Sequence, residues 1–78
     1  MKKLPRLTGR ELGKIAERLG FVFDHQRGSH LFYKHPDGRV VVIPYHSGEE
    51  IGPGLLNKII KKDLRMSREE FLKLLKSR

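Results

Sequence analysis

Three observations in this sequence predict an α+β fold, with helices packed on one face of a three-stranded antiparallel sheet. Between Thr8 and Gly20, apolar side chains recur at helical spacing. Residues 21–45 hold three short runs rich in Val, Ile, Phe and Tyr, parted by turn residues. Residues 53–75 return to helical spacing, with a fresh helix-start signal inside them. The predicted order is α-β-β-β-α plus a short C-terminal helix, in one domain over residues 1–78. A sheet of this kind buries one face and leaves the other open.

The first helix starts at Thr8, an N-cap whose capping-box partner is Glu11 three residues on. Leu7 is the apolar residue ahead of the cap. Leu12, Ile15, Ala16 and Leu19 make the buried stripe, and Gly20 ends the helix in a conformation that suits glycine. A first strand is expected over residues 21–26, with Arg27 and Gly28 as its turn. The second strand is expected over residues 29–35. Pro36, Asp37 and Gly38 follow as a tight hairpin turn, because Asp-Gly favours turns that match strand twist. The third strand is expected over residues 39–45, leaving the ladder near Pro44, which has no amide to donate. By alternation His30, Phe32 and Lys34 share one face, and Leu31, Tyr33 and His35 the other. Pro53 suits the first turn of the next helix. Its buried stripe is predicted as Leu55, Leu56, Ile59 and Ile60, with Lys58, Lys61 and Lys62 outside. Ser67 and Glu70 form a second capping box before Phe71, Leu72, Leu74 and Leu75.

Seventeen Lys and Arg against nine Asp and Glu leave a formal charge of +8 on 78 residues. That balance points to nucleic acid, an acidic protein or an anionic membrane surface as partner. Hydrophobic content of 37% excludes a disordered basic tail. A chain this short builds one modest core and no interdomain cleft, so a site is shallow or completed by a partner. The absence of cysteine removes disulfides and thiolate metal sites and fits a reducing compartment. The start "MKKLPRLTGREL" has no apolar signal core, and no stretch approaches the roughly 18 apolar residues of a membrane span. A soluble intracellular protein without membrane association is expected. No phosphate-binding loop, dinucleotide fingerprint or serine-hydrolase elbow occurs.

Three of the four histidines fall within "RGSHLFYKHPDGRVVVIPYHSGEEIG". His25, His30, His35 and His46 lack the close spacing of a zinc motif, so no metal and no cofactor are expected. His30 follows a turn at the start of a strand, where an imidazole projects from a rigid frame and suits proton transfer near neutrality. Ser29 beside it caps the turn or meets a phosphate. On the residues alone, His30 reads more readily as an ordinary strand histidine, since a three-residue match is common. Glu49 and Glu50 either assist a histidine or solvate their loop. Basic side chains spread over several elements: Lys2, Lys3, Arg6 and Arg10 early, Arg27, Lys34 and Arg39 in the hairpins, and Lys58, Lys61, Lys62 and Arg65 later. They would contact phosphates, with Tyr33 or Tyr45 stacking on a base. Such a footprint supports binding and says nothing about cleavage.

The segments "LTGRELGKIAERLGF", "RGSHLFYKHPDG" and "VVIPYHSGEEIGPGLLNKIIKK" together resemble the HicA-type toxins, the HicA/YcfA-like mRNA interferase family, over nearly the whole chain. The triplet Gly28-Ser29-His30, then Pro44 and His46, then the glycine-to-helix segment occur in the family's order. The resemblance implies a fold like the double-stranded-RNA-binding domain. It also implies a cytoplasmic toxin of a type II toxin–antitoxin system that cleaves mRNA and is neutralised by a HicB-type antitoxin. The family's active histidine falls on His30, with His46 in a supporting role. One departure stands out: Gly54 occupies the position where family members commonly carry threonine at the start of the second helix.

The implied mechanism is metal-independent. His30 would serve as base toward a ribose 2′-hydroxyl or as acid at the leaving oxygen, with a 2′,3′-cyclic phosphate formed. Arg27, Lys34, Lys58 and Lys61 would hold the RNA backbone, and Ser29 and His46 would assist. His25 and His35 are expected to be bystanders. The rival readings are an RNA-binding module without turnover and a catalytically inactive, partner-binding relative.

Overall fold

Helix α1, Gly9–Arg18, begins where Thr8 Oγ1 accepts from the Glu11 amide at 3.2 Å and the Glu11 carboxylate accepts from the Thr8 amide at 2.9 Å. The computed structural model describes residues 4–76; Lys2 and Lys3, counted above among the early cations, lie outside them. The helix ends as expected. Gly20 takes a φ of +98°, and the Phe21 amide reaches back to the Ala16 carbonyl at 3.0 Å. That closure turns Phe21 into the core, where it is 2% exposed, so the first strand starts one residue later than predicted.

Strands β1 (Val22–Arg27), β2 (His30–Lys34) and β3 (Val40–Pro44) form an antiparallel sheet in the order β1-β2-β3. Arg27 pairs with His30, so the first turn is Gly28 and Ser29 rather than Arg27 and Gly28. Gly28 takes a φ of +59°, the positive value a two-residue hairpin needs at its first turn position. The second turn is wider than the tight turn expected from Asp37 and Gly38. The Gly38 amide bonds the His35 carbonyl and the His35 amide bonds the Arg39 carbonyl, each at 2.9 Å, with Gly38 left-handed between them. Asp37 locks it by accepting from the Arg39 amide at 3.0 Å and from Arg39 Nε at 2.7 Å.

Alternation decides which face is buried. Leu31, Tyr33, Val41 and Ile43 turn toward the helices and join Leu12, Ala16, Phe21, Leu56, Ile60, Leu64 and Phe71 in one core. Each fully buried side chain of this size contributes about 1.5–3 kcal/mol relative to exposure. His30, Phe32 and Lys34 turn the other way.

Helix α2, Pro53–Lys58, runs directly into a π-helical turn, Ile59–Asp63. The sequence accounts for it. An α-helical stripe through Leu56, Ile59 and Ile60 next buries position 63, which is aspartate. Widening by one residue lets the Leu64 amide bond the Ile59 carbonyl at 2.9 Å and brings Leu64 to 1% exposure in its place. Leu55, predicted in the buried stripe, is 45% exposed because it lies in the first turn on the solvent side. Helix α3, Arg68–Lys76, starts at the predicted Ser67–Glu70 box and buries Phe71 fully.

Several contacts gather one end of the sheet. A Cβ on Gly9 would collide with the Pro44 carbonyl, so α1 begins against the end of β3. The Ile51 amide bonds the Leu7 carbonyl at 2.7 Å, and Thr8 bridges to Glu50. The Tyr45 amide bonds the Ser29 carbonyl at 2.6 Å. The starts of α1, β2 and α2 and the end of β3 therefore meet at the end that carries His30.

Candidate functional site

The open face is set by strand register. His30 lies between Arg27 on β1 and Pro44 on β3, Phe32 between His25 and Val42, and Lys34 between Val22 and Val40. His30 is exposed, and among the described residues none hydrogen-bonds or ion-pairs with its ring. Its backbone is nevertheless fixed, by the pairing with Arg27 and Pro44 and by the Ser29–Tyr45 bond next to it. A free imidazole on a rigid strand end, with a guanidinium as cross-strand neighbour, offers proton transfer beside a cation for a phosphate.

The register slips once. A bulge at Asp24 leaves Phe23 opposite Tyr33 but His25 opposite Phe32. Strict alternation would have sent His25 to the face of Phe23; the extra residue re-aims it to the open face. There His25 stacks on Phe32, with centroids 4.3 Å apart and planes 8° apart. His25 Nδ1 is 2.6 Å from Asp24 Oδ2, and Lys34 Nζ stands 3.5 Å from the same oxygen. The His25 hydrogen bond is the main cause that holds the Asp24 carboxyl below its ordinary value, with Lys34 adding to it.

The other predicted residues divide. Arg27 and Ser29 are the immediate neighbours of His30. His46 follows β3 at the same end of the sheet, with Nδ1 3.9 Å from Glu49 Oε2, beyond hydrogen-bond reach. Lys34 is at the far end of β2, tied to Asp24. Lys58 and Lys61 are exposed on the helical layer behind the sheet, away from the face of His30. Tyr33, considered above for base stacking, is buried at 8% exposure with its hydroxyl against Gly13; burial pushes its phenol up, and Glu17 adds to this. His35 is structural: Nε2 donates to the Leu19 carbonyl at 3.1 Å, and the ring meets Phe21 edge-on at 4.9 Å. Among the described residues, no three His, Cys, Asp or Glu side chains gather so as to hold a metal.

His25 is the residue that sequence reasoning passed over. The adjacent Asp24 and His25 just ahead of the Gly28 turn were the available signal. What makes them matter is the bulge, which alternation counted along the chain does not reveal. A groove lined by Leu4, Pro5, Arg6, Glu50, Ile51, Gly52, Pro53 and Arg68 flanks the start of α2. No helix of the described residues is long and apolar enough to cross a membrane.

The family model described as the HicA toxin of bacterial toxin–antitoxin systems matches residues 9–64, from the start of α1 through Leu64. Among curated proteins nothing matches the chain.

Proposed function

The chain belongs to the HicA toxin family of bacterial toxin–antitoxin systems, and on that premise we propose that it is a metal-independent endoribonuclease that cuts mRNA, with His30 as its central proton-transfer residue. The observation that carries the reading is the combination of an exposed imidazole, without a hydrogen-bond or ion-pair partner among the described residues, with a backbone pinned from both neighbouring strands. A general base must be free to meet a substrate proton and held where the substrate will be. Arg27, directly across from His30, is the cation best placed to neutralise the phosphate as charge builds on it. Ser29 stands at the turn, where its hydroxyl can meet the same phosphate. Lys58 and Lys61 would act at a distance, on RNA that wraps the helical layer. Lys34 would act through Asp24.

The reaction uses the ribose 2′-oxygen as nucleophile on the adjacent phosphorus, so DNA resists it. mRNA as substrate places the action in the cytoplasm. As a toxin of a two-component system the protein has an antitoxin, which we infer to be of the HicB type. A charge of +8 and an open sheet face favour an acidic surface as the blocking partner.

Labelled single-stranded RNA in EDTA, incubated with wild type and with His30→Ala, tests the reading, with a DNA strand of the same sequence as control. Cleavage of RNA by wild type alone is the expected result. Equal cleavage by His30→Ala would remove His30 from the chemistry. Binding of RNA by a folded wild type that cuts nothing would leave an RNA-binding module.

A further inference from the structure

We propose that His25 is a second catalytic residue of this site, the acid that protonates the leaving 5′-oxygen while His30 takes the proton of the 2′-hydroxyl. The inference rests on the ribonuclease reading above.

Four features carry it. The bulge at Asp24 brings His25 to the face of His30, and bulges beside functional sites commonly serve to re-aim a side chain. His25 is cross-strand partner to Phe32, two residues from His30 on the same face, so His25 and His30 are diagonal neighbours. Such Cα atoms are roughly 7–8 Å apart, close enough for two imidazoles to flank one phosphate. The ring is held twice, by Phe32 against its plane and by Asp24 on Nδ1. Nδ1 is thereby engaged and Nε2 is the nitrogen left for a substrate, on a side chain 49% exposed. Finally, a carboxylate on Nδ1 orients the imidazole and matches the positive charge it carries as an acid. His46 has no comparable support, since Glu49 stays 3.9 Å from its ring.

The step balances. The 2′-oxygen gives its proton to His30 and forms the new bond to phosphorus. The bond from phosphorus to the 5′-oxygen breaks, and that oxygen takes the proton from His25 Nε2. A 2′,3′-cyclic phosphate and a 5′-hydroxyl result, with His30 protonated and His25 neutral until both exchange with water. The charged and titratable groups facing His25 are Asp24 and Arg27 on β1 and Lys34 and His30 on β2; β3 presents Val40, Val42 and Pro44 to that face.

An oligoribonucleotide and a ribonucleoside 3′-(p-nitrophenyl phosphate) separate the roles, because nitrophenolate departs without a proton. With His25→Ala, RNA cleavage should fall about 100-fold or more, while the nitrophenyl ester is cleaved within about threefold of wild type. The basic limb of the wild-type pH–rate profile should also vanish. His30→Ala should lose both substrates. Asp24→Asn, which keeps the His25 ring, should lose about tenfold on RNA and little on the ester. Equal loss on both substrates with His25→Ala would make His25 a binding or structural residue and overturn the assignment, as would full RNA cleavage. If wild type cleaves neither substrate, the ribonuclease reading falls first and this assignment with it.

Discussion

His25 lies flat against Phe32, 4.3 Å from centroid to centroid and 8° from parallel, although simple alternation from Phe23 would put the two rings on opposite sides of the sheet. The pair exists because one extra residue, Asp24, is taken up in β1. Removing the Phe32 ring should therefore loosen His25 without touching the core. Phe32→Ala is expected to reduce RNA cleavage about tenfold and to cost about 1 kcal/mol of stability, the scale of an aromatic pair. Cleavage rates and denaturant midpoints measured on the same preparation check both.

His30→Ala should leave stability unchanged within about 0.5 kcal/mol, because the ring is exposed and bonded to nothing among the described residues. Cleavage should drop at least about 100-fold. A large fall in thermal midpoint would show that the ring supports the fold.

Gly9 and Gly54 should respond oppositely to alanine. A Cβ at Gly9 would strike the Pro44 carbonyl, a backbone atom that cannot swing away, whereas a Cβ at Gly54 meets open space. Gly9→Ala should destabilise by about 2 kcal/mol through overpacking. Gly54→Ala should stabilise by about 0.5 kcal/mol, since alanine gives up less backbone freedom than glycine on entering the first helical turn. Urea unfolding of the two variants gives the comparison.

Arg65 holds a φ of +54° after the π-helical turn, the left-handed conformation that glycine adopts without a Cβ penalty. Arg65→Gly should raise stability by about 0.5–1 kcal/mol, less than the full relief because glycine also loosens the unfolded chain. Thermal melts decide it.

Three carboxylates contribute to the acid limb of stability. Asp24, Asp37 and Glu70 are held below their ordinary values, chiefly by hydrogen bonds from His25, the Arg39 amide and the Ser67 amide respectively. A depressed folded value means that each contributes stability above its unfolded value, and that this is lost as pH falls through the folded value. The melting temperature should accordingly decline below about pH 4. Asp37→Asn should make that decline shallower, and a profile identical to wild type would deny Asp37 its part. Ser67→Ala should cost about 1 kcal/mol near neutrality by removing the α3 cap.

Most of the fold was legible because it is written in local signals. Thr8 with Glu11 and Ser67 with Glu70 cap their helices through neighbours three residues away, and Gly20 ends α1 through its own φ. The parity of β2 sorted its side chains onto two faces, but both faces carry apolar residues, so which one is buried was not legible there. The misses share a cause. Phe21 left the strand because the end of α1 turned it inward, and Leu55 stayed outside because the stripe narrows at the first turn of α2. The π-helical turn follows from a competition between Asp63 and Leu64 for one core position, which periodicity records only when the core is already known.

The sequence by itself determined the element order, the caps, which side chains of β2 share a face and the presence of His30 at a strand start, since each depends on residues within a few positions of one another. Tertiary structure alone decided that Arg27 and Pro44 flank His30, that Lys58 and Lys61 lie behind the sheet, and that His25 shares the face of His30. Those relations depend on pairing register, and a single bulged residue reverses every side chain after it.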